Sequence, residues 1–268
     1  MGPVAYALLV LAAFGAGLVD SIAGGGGLIT FPALVAAGLP PHVALGTNKG
    51  QAVLGAVSSA VAFWRGDGLD RDRAAVAFGF GFVGSVLGAF AVLAVPAEPL
   101  RPVVIVLLAG AATVVLLRGH IKPRARAPSH PRLVLAGIAV GLGAYDGFFG
   151  PGVGSMLIVA FMLVFGDAIT RASGNAKVVN LASNLAAVVV FAWRGTVLWQ
   201  VAVPMAVANG LGAAVGARIA LKRGDRFVRW VVLVVVAAAM AKLAVDFVRA
   251  AAPVGTSVSA PAPSEDQR

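Results

Sequence analysis

The sequence predicts an all-α integral membrane protein made of two homologous four-segment halves. It reads as an inverted repeat of about eight transmembrane segments, with the first of each half broken or re-entrant. Three observations predict this. First, the 268 residues are 59% hydrophobic and only 12% charged, with mean hydropathy +0.93, whereas soluble domains average about 25% charged. Second, long apolar runs such as 103–117 and 231–245 recur along the chain. Third, one set of motifs occurs twice. Leu18-Val-Asp-Ser-Ile-Ala-Gly-Gly-Gly-Gly27, Ala44-Leu-Gly-Thr-Asn-Lys49 and Trp64-Arg-Gly66 return as Ala144-Tyr-Asp-Gly-Phe-Phe-Gly-Pro-Gly-Val-Gly154, Ala172-Ser-Gly-Asn-Ala-Lys177 and Trp193-Arg-Gly195.

Apolar segments are expected at 4–38, 43–63, 74–95, 102–117, 133–165, 173–192, 197–217 and 230–249. The first repeat covers 1–117, a basic cytoplasmic linker 118–132, the second repeat 133–250, and a Pro/Ser-rich tail 251–268 is expected to be disordered. The 34 glycines and many alanines suit a tightly packed bundle. With no cysteine, thiolate and disulfide chemistry are excluded. The run 4–18 is kept as mature structure: no basic residues precede it, and its Gly-rich continuation recurs internally.

Segments 4–38 and 133–165 exceed the roughly 20 residues of one span, yet are short for two spans and a turn. Each is either a kinked crossing or a pair of short helices that enter and leave on one side. Charge favours the hairpin. It places loops 65–73, 118–132, 166–171 and 218–229 on a common face with 14 Lys/Arg, leaving only Arg101, Arg194, Arg249 and Arg268 opposite. With single crossings, the five basic residues of 218–229 fall on the side opposite the linker, against the positive-inside rule. The same short-loop placement of the +10 net charge argues for topology and against nucleic acid.

The breaks carry the chemistry. Gly24, Gly25, Gly26 and Gly27, matched by Gly150, Pro151, Gly152 and Gly154, interrupt helices inside apolar sequence. Such breaks persist only when buried in protein or lining a cavity. A helix restarting there aims free N–H groups and a positive dipole end at whatever fills that cavity, which makes an anion site. The competing reading is close helix packing alone.

Lys49 and Lys177 occupy equivalent positions near the start of apolar segments. A lysine in the membrane costs roughly 2.5–3.5 kcal/mol or more, so it faces a partner or a substrate path unless it snorkels. Asp20 and Asp146 precede the breaks, and three roles stand open: pairing with the lysines, capping the following half-helix, or carrying a coupling proton. Thr47, Asn48, Gln51, Ser58 and Ser59 surround the first lysine; Ser173, Asn175, Asn180, Ser183 and Asn184 surround the second. Lys177, Asn180 and Asn184 share a helix face, whereas Lys49 and Gln51, two apart, do not. Such side chains also bond neighbouring helices without touching substrate.

Trp64 and Trp193 read as interfacial anchors. Lys242 and Asp246, spaced i, i+4, read as an internal ion pair. The three histidines scatter over loops, and no P-loop is present, so no metal, nucleotide or other cofactor is expected.

On the motifs Asp20-Ser-Ile-Ala-Gly-Gly-Gly-Gly-Leu-Ile-Thr-Phe-Pro32, Ala44-Leu-Gly-Thr-Asn-Lys49, Tyr145-Asp-Gly-Phe-Phe-Gly-Pro-Gly-Val-Gly-Ser155, Lys177-Val-Val-Asn180 and Phe191-Ala-Trp-Arg-Gly195, the chain resembles the sulfite exporter TauE/SafE family of membrane permeases. That resemblance covers nearly all of 4–250. It implies a prokaryotic plasma-membrane transporter of sulfite, a sulfonate or a related small organic anion. The expected partners are that anion and membrane lipid, with a homo-oligomer left open. A passive anion channel, and less favourably a membrane-embedded enzyme or assembly factor, are the alternatives. A channel needs polar residues spread along several helices, and here they cluster at two matched places.

Overall fold

The computed structural model describes residues 1–117 and 128–223. Most of the basic linker, the segment 230–249 with Lys242 and Asp246, and the tail 251–268 lie outside the described residues. Among those described, the chain is helical without strands: α1 (Pro3–Ala23), α2 (Gly27–Ala36), α3 (Pro41–Arg65), α4 (Arg71–Ala94), α5 (Ala97–Leu117), α6 (Pro131–Phe148), α7 (Val153–Phe165), α8 (Ile169–Trp193) and α9 (Trp199–Arg223).

Four of these, α1, α4, α8 and α9, are long and apolar enough to cross a membrane. Helix α3 has 25 residues, but the polar stretch Thr47–Gln51 dilutes it. Helices α2 and α7 have 10 and 13 residues. At about 1.5 Å per residue each falls well short of the roughly 30 Å hydrocarbon layer.

Both expected breaks are present. Gly24 ends α1 at φ +75°, its N–H closing on the Asp20 carbonyl at 2.8 Å. Gly152 opens α7 at φ +85°. Both angles lie where a Cβ is penalised, which is why glycine stands there. The first break reverses the chain: a Cβ on Gly26 would lie 2.7 Å from the Ala16 carbonyl, two turns back along α1.

Two apolar cores fill the bundle. One contains Ile22, Phe63, Ala77, Leu135, Phe161, Val179 and Ala217; the other contains Leu9, Phe31, Leu45, Ala89, Phe149, Phe191 and Met205. Helix α1 runs from the second core to the first, and α6 from the first toward the second. The pairs α3 and α8, and α4 and α9, also traverse the cores in opposite order.

Helices of different halves meet backbone to backbone through small residues. Methyl groups at Gly84 and Gly88 of α4 would overlap the Val140 and Ala144 carbonyls of α6. In the same register, methyls at Gly212 and Gly216 of α9 would overlap the Phe14 and Leu18 carbonyls of α1. The polar ties follow this partition. Ser21 donates to the Ala213 carbonyl at 2.9 Å and Asn209 to that of Ala13 at 3.1 Å, joining α1 to α9. Ser85 donates to the Ser183 carbonyl at 2.7 Å, joining α4 to α8.

Trp64 and Trp193 project from the bundle, 45% and 72% exposed, with the guanidiniums of Arg71 and Arg194 over their rings.

Candidate functional site

The two breaks meet. Ser155 N–H donates to the Gly24 carbonyl at 3.0 Å, and the Ser155 hydroxyl donates to that of Ala23 at 2.8 Å. The Gly24 and Gly154 backbones touch so closely that neither position has room for a side chain. Beside this crossing lies a small cavity of about 40 Å³. It has room for a few water-sized groups, far below the 300–1,000 Å³ of a drug-sized site.

Most of the sequence-predicted residues line it: Gly24, Gly26, Gly27, Asn48, Lys49, Gln51, Gly150, Gly152, Gly154, Asn180 and Asn184, together with Asp20 and Asp146. The first residues of both half-helices α2 and α7 are therefore in the wall. Lys49 and Gln51 both reach it despite their two-residue spacing. Gln51 shares a face with Asn48, and the longer lysine bends toward Asp146.

The lysines are neutralised across the halves. Lys49 of α3 pairs with Asp146 of α6, both 3% exposed in their side chains. Lys177 of α8 pairs with Asp20 of α1 at 2.7 Å and also donates to the Asp20 carbonyl. Asp146 accepts a second bond from Ser183, and Asp20 a second from Gly26 N–H at 3.2 Å. Pairing is thus seen for both acids, and Asp20 also holds the N–H of Gly26, the residue just before α2.

Five predicted residues lie away from the cavity lining. Lys177, fully buried, turns to the last turn of α1 instead of sharing the Asn180 and Asn184 face. Thr47 accepts Leu198 N–H at 3.0 Å, and Asn175 accepts Asp70 N–H at 2.7 Å. Equivalent in the two repeats, these two clasp the chain just before α9 and α4. Asn175 also donates to Asp167 at 2.7 Å, which Arg73 contacts at 3.1 Å. Gly25 serves the turn by accepting Leu28 N–H, and Pro151 packs on Gly27.

Two side chains at the cavity escaped the sequence reading. Asn209 of α9 lines the cavity and is 5% exposed; its signal was an amide in the middle of the apolar run 197–217. Thr30 of α2 donates to Asn48 at 2.6 Å and so anchors the cavity's amides to the half-helix. Among the described residues no cluster of His, Cys, Asp or Glu suits a metal.

The sequence profile of the sulfite exporter TauE/SafE family matches residues 9–243. Among curated proteins, the chain is 37% identical to "Probable membrane transporter protein YfcA" of Escherichia coli strain K12, over 92% of each chain. It is 35% identical to "Probable membrane transporter protein ORF9" of Sinorhizobium sp, over 90% of this chain and 92% of that one. A "Probable membrane transporter protein" of Haemophilus influenzae is also 35% identical, over 90% of this chain and 94% of that one. No solved structure matches. A helical membrane chain with paired helix breaks around a polar cavity, matched over this length, belongs to the sulfite exporter TauE/SafE family of membrane transporters.

Proposed function

We propose that the chain is a secondary transporter, an exporter, of a small anion such as sulfite or a sulfonate, acting in the plasma membrane by alternating access. The observation that carries this reading is the cavity where the N-terminal residues of α2 and α7 meet Lys49. Each helix N-terminus is worth roughly half a positive charge. At the opposing C-terminal end of α1, the carbonyls of Asp20, Ala23 and Gly24 are already taken by Lys177 and Ser155. With both lysines paired to carboxylates, those two amide ends are left to offset the substrate, and that balance favours a singly charged anion. The name of the family and the cavity's small volume support the substrate class.

The inverted arrangement is supported by the opposite order in which equivalent helices traverse the two cores. In this reading the moving bodies are composites rather than the sequence halves: α1–α3 with α9, against α4 with α6–α8. Thr47–Leu198, Ser21–Ala213 and Asn209–Ala13 lie inside the first body. Asn175–Asp70, Ser85–Ser183 and Arg73–Asp167 lie inside the second. The two Lys–Asp pairs and the Ser155–Gly24 contact bridge between the bodies, beside the cavity. Rocking one body against the other would expose the site alternately.

Purified protein in liposomes tests this. Saturable sulfite or sulfonate uptake that is lost in Lys49→Ala, with folding intact, supports the transporter. Non-saturating flux at channel rates would reject it.

A further inference from the structure

Among the described residues, one buried side-chain polar atom has no hydrogen-bond partner, Oε1 of Gln51. Gln51 is 2% exposed and lines the cavity. Its Nε2 is committed, donating to Asn48 Oδ1 at 3.1 Å and to Thr30 Oγ1 at 3.2 Å. A neighbouring distance agrees with this orientation of the amide. Thr30 Oγ1 and Asn48 Oδ1 are 2.6 Å apart, typical of O–H···O at about 2.5–3.0 Å and short for N–H···O at about 2.7–3.2 Å. Asn48 turns its oxygen to Thr30, Gln51 brings its nitrogen to that oxygen, and the Gln51 carbonyl is left over. A buried carbonyl without a donor is costly, and its retention calls for an explanation.

The internal repeat shows that packing does not require it. At the 128-residue offset that aligns Lys49 with Lys177, Gln51 corresponds to Val179 and Asn209 to Gly81. Val179 is fully buried against Gly81, where a Cβ would come within 3.0 Å of its Cγ1. One half thus closes this position with an apolar contact. The other half places two amides there, both on the cavity.

We infer that the anion held in this cavity bears a hydrogen-bond donor, an O–H or N–H, beside its anionic oxygens, and that Gln51 Oε1 accepts from it. The inference rests on reading the cavity as an anion site. Lys49 and the amide ends of α2 and α7 serve any oxyanion; the Gln51 carbonyl serves only one that can donate. A ligand without a donor leaves this carbonyl unpartnered. Sites built to bond an O–H or N–H discriminate strongly against analogues that lack it.

Sulfamate and methanesulfonate have the same charge and nearly the same shape, and differ by an amino group in place of a methyl. Calorimetric titration of the full chain in lipid nanodiscs with each is expected to show sulfamate binding at least about tenfold tighter. In Gln51→Met the preference is expected to collapse to about twofold or less. Equal affinities in the wild-type protein would overturn the donor requirement while leaving the anion site standing. This comparison needs no variant to fold. A preference that survives in Gln51→Met would remove Gln51 as the acceptor. Binding of neither anion would overturn the anion reading, and this inference with it.

Discussion

Lys177 of α8 donates to the Asp20 carboxylate at 2.7 Å, across 157 residues of chain, and its ammonium also takes the Asp20 carbonyl in the last turn of α1. One side chain thus neutralises the acid before the first break and closes the helix that ends there. Its side chain has no exposure, whereas Asp20 keeps 24%. Removing one partner of a buried pair costs about 3–5 kcal/mol, because the other charge is stranded. Lys177→Met is therefore expected to lower the melting temperature sharply. Lys177→Met with Asp20→Asn should recover most of the loss, since the amide still accepts from Gly26. Thermal melts in detergent check this, and a double variant no more stable than the single would deny the pairing its role.

Lys49 has a different consequence, because its pair borders the cavity. Without it, the Asp146 carboxylate would face the ligand uncompensated. Truncating one member of a buried charge pair costs binding about 2–5 kcal/mol. Lys49→Met is expected to weaken anion binding about 30-fold or more on that scale. Adding Asp146→Asn should restore part of it, because Ser183 remains to hold the amide. Equilibrium binding in nanodiscs reads both effects separately from stability.

Much of this architecture was legible in the sequence, because membrane insertion simplifies the pattern. Apolar runs mark helices, and glycines such as Gly24 and Gly152 mark breaks that need a left-handed backbone. The repeat flagged Lys49, Lys177, Asp20 and Asp146 together. It did not say which acid meets which lysine, since spacing along one half is silent about contacts between halves. Thr47 and Asn175 look like ligands for the same reason. Both are polar, matched and close to a lysine, yet their partners are backbone amides more than 100 residues away. Asn209 stayed hidden because its repeat counterpart is Gly81, so no symmetry drew attention to it.

Helix crossings mediated by glycine predict a sharp contrast between otherwise similar substitutions. A methyl at Gly88 would run into the Ala144 carbonyl of α6, while one at Gly137 meets nothing within 4 Å. Gly88→Ala is expected to cost about 1–3 kcal/mol, the scale of overpacking against an unyielding backbone. Gly137→Ala should be neutral or slightly stabilising, as alanine is the better helix former by up to about 1 kcal/mol. Comparing their thermal stability in one detergent tests the crossing. Equal effects would mean that α4 and α6 do not pack so closely.

The composite bodies make a prediction that sequence halves would not. The chain has no cysteine, so introduced pairs report without background. Ser21→Cys with Ala213→Cys, bridged by a short bifunctional reagent, would link α1 to α9, where the native hydroxyl and carbonyl sit 2.9 Å apart. If the two sequence halves rock against each other, that link ties them and should stop transport. If α9 travels with α1, it should leave transport near the uncrosslinked rate. Phe31→Cys with Phe149→Cys joins the two bodies at rings 5.6 Å apart and should stop transport under either reading. Uptake into liposomes before and after bridging is the measurement. A silent first link beside an inhibitory second is the expected result, and inhibition by both would return the motion to the sequence halves. The expectation rests on packing: α9 lies on the α1 carbonyls without intervening side chains at Gly212 and Gly216, and close-packed interfaces of this kind move as units rather than shearing.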